Sequence, residues 1–200
     1  VRLYWPVERR PAFDALFALD DAMADVVARS TDRALAAIKL AWWRESLEKI
    51  DYGPPPQEPR LQAAARTLLP ANISGRQLSE LQTGWATLLD ERPDPALIAR
   101  RGALLFSLSA RLLGIPDAGL ASAGALFAMA DVARRTGKER WLSAAELGGL
   151  RFPPKARPIT ALAALASRDC RRFAKKGWEP EATPGRALAL IAHRLTGRVG

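Results

Sequence analysis

Ser30-Thr31-Asp32-Arg33-Ala34-Leu35-Ala36-Ala37-Ile38-Lys39-Leu40-Ala41-Trp42-Trp43-Arg44-Glu45-Ser46-Leu47-Glu48-Lys49-Ile50 reads as a helix throughout. Leu35, Ile38, Trp42 and Leu47 recur at helical spacing, and Ser30 or Thr31 is placed to cap the first turn. The same period runs outward from this segment. Upstream, residues 11–29 open with Pro11, a residue favoured in a first helical turn, and put Phe13, Leu16, Phe17, Ala24 and Val27 on one face. Downstream, Tyr52 to Pro59 carries Pro54-Pro55-Pro56 and cannot continue a helix.

Beyond that connector every long segment is again helical. A short helix over 60–69 stops at Pro70. Ser74 with Gln77 forms a capping box for a helix through Leu89, and Asp94-Pro95 starts one that runs to Leu113 with Gly114 as its left-handed cap. Pro116 opens the next, ending near Gly137, and Ser143 with Glu146 caps a short turn. Pro158 to Lys176, stopped by Gly177, and Thr183-Pro184 to Thr196 complete the series. No segment alternates with period two, so the expected fold class is all-α, a helical bundle without strands or repeats.

With 48 % hydrophobic residues in 200, the chain can bury a core and is not a disordered one. Cys170 is the only cysteine, which excludes an intrachain disulfide and suits a reducing compartment, and it reads as structural. No apolar run reaches the roughly 18 residues of a membrane span, and Val1 to Pro6 has no secretory leader pattern. The expected location is therefore cytoplasmic. A net charge of +9 favours phosphate-bearing partners, but the basic residues are scattered among acids. No helix-turn-helix, zinc-finger or ribonucleoprotein pattern is present, so no specific nucleic-acid partner is expected. His193 has no nucleophile elbow to serve, and no Gly-rich phosphate loop precedes a helix.

Four pieces, in order, resemble the squalene and phytoene synthase family. They are Arg9-Arg10-Pro11-Ala12-Phe13 through Ala15-Leu16-Phe17-Ala18-Leu19, then Ile38 to Leu47 with its Trp42-Trp43-Arg44, then Gly102-Ala103-Leu104-Leu105 with Ala110 to Gly114, and Trp141 to Leu147. The tryptophan–arginine segment is the most specific, and it is similar to that of the family's non-catalytic branch, assembly factors of respiratory complex I. The resemblance implies an isoprenoid-synthase-like helical bundle around a central cavity, one domain over residues 1–200, short of the family's C-terminal helices.

Family enzymes join two prenyl diphosphates head to head, using Mg²⁺ held by paired acids to neutralise the leaving diphosphate. The candidate metal ligands here are Asp21 and Asp25, four apart on one helix, and Asp131. In the register set by Phe17-Ala18-Leu19, however, Ala24 and Ala28 fall where the family has its acids, and Arg135 stands where Asp131 should find a second acid. On a helical wheel Asp25 lies about 140° and Asp21 about 100° from the middle of the apolar stripe, which suits a solvated flank. Asp20 falls near that middle and is expected to meet an arginine or a polar cavity.

Arg10, Arg44, Arg134, Arg135 and Lys138 are the candidate diphosphate-binding residues, since the guanidinium fork matches phosphate oxygens. Each has an alternative as a surface residue or an internal partner of Asp20 or Asp131. Trp42 and Trp43 point about 100° apart, so one belongs in the core and the other is partly exposed. The expected function is a squalene/phytoene synthase-like protein with degenerate acidic motifs, a prenyl- or lipid-binding or assembly module needing no cofactor. Its expected partners are a prenyl diphosphate or lipid, a protein, and an anionic inner-membrane surface that would hold it peripherally. The alternative is an active, Mg²⁺-dependent prenyltransferase.

Overall fold

The computed structural model describes residues 2–116, 119–142 and 149–200. The chain is all-α, and among the described residues the only strands are β1, Leu150–Arg151, and β2, Arg198–Val199. They pair antiparallel, Leu150 opposite Val199, a small departure from the strandless expectation. Among the described residues no helix is long and apolar enough to cross a membrane. The residues group into two compact units, Val7–Arg101 and Gly102–Gly200, the latter joined by the N-terminal residues up to Pro6.

The Val7–Arg101 unit begins with α1, Arg10–Arg29, and α2, Arg33–Lys49. The cap of α2 is Asp32, whose carboxylate accepts from Ala34 N at 2.7 Å and Leu35 N at 3.2 Å, so Ser30 and Thr31 lie outside the helix. A carboxylate at this end also meets the helix dipole favourably. The buried face of α2 is Ala36, Leu40, Trp43, Ser46 and Leu47. Leu35, Ile38 and Trp42 are instead 45 %, 66 % and 45 % exposed, so the expected apolar row does not mark the interior. Of that row only Leu47 is buried, and Leu40 and Trp43 fill the core beside it.

α3 spans Pro59–Thr67, as the connector and the proline at its start require. The helix expected over 74–89 is broken into α4, Gly75–Ser79, and α5, Leu81–Ala86, with a 3-10 turn over Thr87–Leu89. At the break the Ser79 hydroxyl turns back 2.9 Å from the Arg76 carbonyl, the local competition that disfavours serine inside helices. The capping box of Ser74 and Gln77 is present. Phe13, Leu16, Leu19 and Met23 of α1 pack with Leu40, Leu61, Leu81 and Trp85 as the core of this unit.

α6, Pro95–Leu113, ends at Gly114 with φ of 64°, the left-handed cap expected there. α7, Leu120–Thr136, starts later than Pro116 predicted, because Gly119 takes φ of 80° and cannot be helical. Ser143, Glu146 and the rest of the segment after Leu142 lie outside the described residues. α8, Arg157–Lys176, and α9, Pro184–Thr196, complete the Gly102–Gly200 unit, with α8 packed between α7 and α9. Within it Gly102 of α6 and Gly124 of α7 meet backbone to backbone: a Cβ on Gly124 would lie 2.2 Å from the Gly102 carbonyl oxygen.

Candidate functional site

A cavity of about 620 Å³ opens in the Gly102–Gly200 unit between α7, α8 and α9. Its apolar wall is Phe127 and Ala130 of α7, Leu162, Leu165 and Ala166 of α8, and Leu190 of α9. These positions recur at helical spacing, so each helix turns one apolar face to the cavity and its neighbours. A charged edge runs along the same space, with Asp131, Arg134, Asp169, Glu181 and Arg186.

Most of these charges are already matched. Arg135 donates to Asp131 at 2.7 Å across one helical turn, and Arg186 donates to Asp169 at 2.5 Å. Arg134 differs: both terminal nitrogens of its guanidinium donate to the main-chain carbonyl of Glu179, at 3.0 and 2.5 Å. A carbonyl is a dipole, so this contact orients the group without neutralising it. The Arg134 guanidinium also lies 5.3 Å from the Trp178 ring, at a range where the ring face attracts a cation.

Glu179 fastens the loop that forms the third side of the cavity. Its carboxylate is 7 % exposed, accepts from Thr183 Oγ1 at 2.7 Å and is paired with Arg168 at 2.9 Å. Thr183 is at once the N-cap of α9. The hydroxyl of Thr183, and then the Arg168 and Arg172 guanidinia, hold the Glu179 carboxyl below its ordinary range, against an opposing effect of burial.

No family model, curated protein or solved structure matches the chain. The site is therefore read from its own chemistry.

Of the residues singled out in the sequence, Asp131 and Arg134 line this cavity, and Arg135 is held against Asp131. Lys138, in the same unit, is exposed just past the end of α7. Asp21, Asp25, Arg10 and Arg44 belong to the other unit. There Asp21 is exposed on α1, Asp25 pairs with Arg29 at 3.3 Å, Arg44 pairs with Glu48 at 3.1 Å, and Arg10 is half-buried at the start of α1. Among the described residues no three acids, histidines or cysteines stand together as a metal cluster. The donor set around Asp131 does not suit Mg²⁺, because a guanidinium occupies the carboxylate where a divalent ion would need an acid.

Asp20 has an inward place in the Val7–Arg101 unit. It is 3 % exposed, pairs with Arg101 at 2.9 Å and accepts from Trp85 Nε1 at 2.8 Å. Arg101, itself 1 % exposed, stacks 3.8 Å from the Trp85 ring centroid. Gly84 makes room for it, since a Cβ there would lie 2.5 Å from Arg101 Cβ. This cluster is a buried, hydrogen-bonded ion pair.

Cys170 and His193 are built into the scaffold. Burial, and next the Asp169 charge, push the Cys170 thiol up to about 11, so it is a poor nucleophile at neutral pH. His193 is 2 % exposed, with Nδ1 2.8 Å from the Arg198 carbonyl and Nε2 3.0 Å from Thr160 Oγ1. A carbonyl can only accept, so the neutral ring carries its proton on Nδ1, and Nε2 shares the single Thr160 hydroxyl proton with the Ala156 carbonyl at 3.1 Å. Burial holds the imidazole below its ordinary value, and the nearby Arg157 charge adds to this.

A pH dependence follows. The unfolded ring takes up a proton near pH 6.5, whereas the folded one resists until a lower pH. The contribution of His193 is therefore complete above the unfolded value and falls away as pH drops from there through the folded one. Urea unfolding measured from about pH 7.5 down to about pH 5.5 should show stability falling with acid, and His193→Gln should flatten that slope. An unchanged slope in the variant would assign the acid sensitivity to other groups.

Proposed function

We propose that this chain is a squalene/phytoene synthase-like protein that binds an apolar chain with an anionic head, a prenyl diphosphate or lipid, without metal-dependent catalysis. The isoprenoid-synthase-like fold belongs to the same proposal. The observation that carries it is the cavity of about 620 Å³ in which an apolar wall meets Arg134 at the edge. Such a volume is within the usual range of small-molecule sites, and a mostly apolar lining with few polar groups is their usual composition. The Asp131–Arg135 pair supports binding over turnover, because it neutralises the acid a metal would need. The net charge of +9 favours a working place at an anionic membrane surface.

Titration calorimetry with farnesyl diphosphate and with farnesol, without added metal, tests the reading. Both should bind saturably, the diphosphate more tightly. Arg134→Gln should weaken the diphosphate by about tenfold, the size of one charge-assisted hydrogen bond, and leave the alcohol unchanged. Leu190→Trp, which fills the cavity from its half-buried wall, should weaken both. If neither ligand saturates the protein, the reading is wrong. Release of diphosphate that requires Mg²⁺ would replace it with the prenyltransferase alternative.

A further inference from the structure

We infer that the outer face of α9 is the surface by which this protein rests on an anionic lipid bilayer. Leu188, Ile191 and Leu195 are 65 %, 53 % and 73 % exposed, and their three- and four-residue spacing puts them within about 60° of one another on the helix. Three large apolar side chains in a row on one face are more than scattered surface hydrophobics. Glu179 and Glu181 stand at the N-terminal end of α9, and the acids stop there. Neither residues 149–168 nor residues 182–200 contain an aspartate or a glutamate.

Four cations of those stretches, Arg151, Arg157, Arg194 and Arg198, stand at the C-terminal end of the row, whereas Arg168 and Arg186 pair with Glu179 and Asp169. Arg157 donates to the Arg194 carbonyl at 2.6 Å and to the Leu195 carbonyl at 3.2 Å, and Arg151 donates to the Thr196 carbonyl at 3.0 Å. These contacts place two guanidinia beside the last turn of α9, where cations also suit the helix dipole. Arg194 and Arg198 are exposed at the same end, and β1–β2 pairing sets Arg151 opposite Arg198. A protein partner would have to be wholly acidic around an apolar centre, whereas an anionic bilayer presents that pairing everywhere: headgroup charge above, acyl chains beneath.

The other exposed apolar row, Leu35, Ile38 and Trp42 on α2, has no such rim. It runs into the Glu45–Lys49 pair, both signs together, and gives no charge argument for a bilayer.

The inference deepens the membrane clause of the proposed function, and it stands apart from the cavity. Its test is co-sedimentation of the full chain with unilamellar vesicles of phosphatidylglycerol and phosphatidylcholine in equal parts, beside vesicles of phosphatidylcholine alone. The wild type should bind the anionic vesicles, bind the neutral ones far less, and release as salt rises. Leu188→Ser, Ile191→Ser and Leu195→Ser together should abolish binding while the circular dichroism spectrum and thermal melt stay as in the wild type, which shows that the variant is folded. Arg194→Gln with Arg198→Gln should weaken partitioning by about fivefold per charge.

Retained vesicle binding in the triple serine variant would overturn the assignment of this face while leaving membrane association intact. Failure of the wild type to bind anionic vesicles would overturn both. A wild type that is dimeric in solution, and monomeric once the row is replaced by serine, would also overturn it by giving the face to a second copy of the chain.

Discussion

Asp20→Ala should lower the stability of the Val7–Arg101 unit by about 3–5 kcal/mol, the loss measured when one member of a buried ion pair is removed. Against a total of about 5–15 kcal/mol for a typical domain, that is enough to leave much of this unit unfolded near body temperature. The reason is asymmetric. With the carboxylate gone, Arg101 at 1 % exposure keeps its full charge in a poorly polarisable interior, and Trp85 Nε1 loses the acceptor at 2.8 Å. Asp20→Asn should be nearly as damaging, since an amide can still accept from the indole but brings no negative charge. Replacing both partners, Asp20→Leu with Arg101→Met, should return most of the stability, because no buried charge then remains. Denaturant midpoints read by circular dichroism measure all three. A loss below about 1 kcal/mol in Asp20→Ala would show that the pair is not what holds this core together.

Gly124→Ala should be comparably harmful to the Gly102–Gly200 unit, although alanine is the better helix former by about 1 kcal/mol. The added methyl would stand 2.2 Å from the Gly102 carbonyl oxygen and 2.6 Å from its carbon, atoms of helix backbone that cannot swing aside. α6 and α7 would have to separate, opening voids along the rest of the crossing. Overpacking of this kind costs about 3 kcal/mol, and more when backbone must move. Gly102→Ala should behave alike, its methyl lying 2.0 Å from the Gly124 carbonyl oxygen. Thermal melts decide the point: a Tm at or above the wild-type value in either variant would mean that helix propensity outweighs the crossing.

The helices were legible because their punctuation is strong. Pro11, Asp94-Pro95 and Thr183-Pro184 mark starts, and Gly114 and Gly177 mark stops by taking φ of 64° and 70°. Wheel geometry was also enough to turn Asp20 inward. What the one-dimensional pattern could not supply was pairing at a distance. Arg101 lies 81 residues from Asp20, and nothing local distinguishes it from Arg100, which is paired on the surface with Glu80. On α2 two apolar rows of similar size share the helix, Leu35, Ile38 and Trp42 against Leu40, Trp43 and Leu47, and the periodicity alone does not say which one faces the core. In the cavity, Asp131 and Arg134 could be named only through the family resemblance, from motifs that fall in α7. Asp169, Arg186 and Glu179 could not, since the spacing that joins them is that of three separate segments.

The Glu179 contacts also bear on how the rim of the cavity is held. Its backbone oxygen steadies Arg134, its carboxylate ties down Arg168 and Thr183, and Thr183 starts the helix that supplies Leu190. One residue thus works as a buckle: the head-group cation, the flap beside it and the far wall come undone together. A guest whose anionic head draws on Arg134 therefore pulls on the same residue that anchors Thr183 and the start of α9.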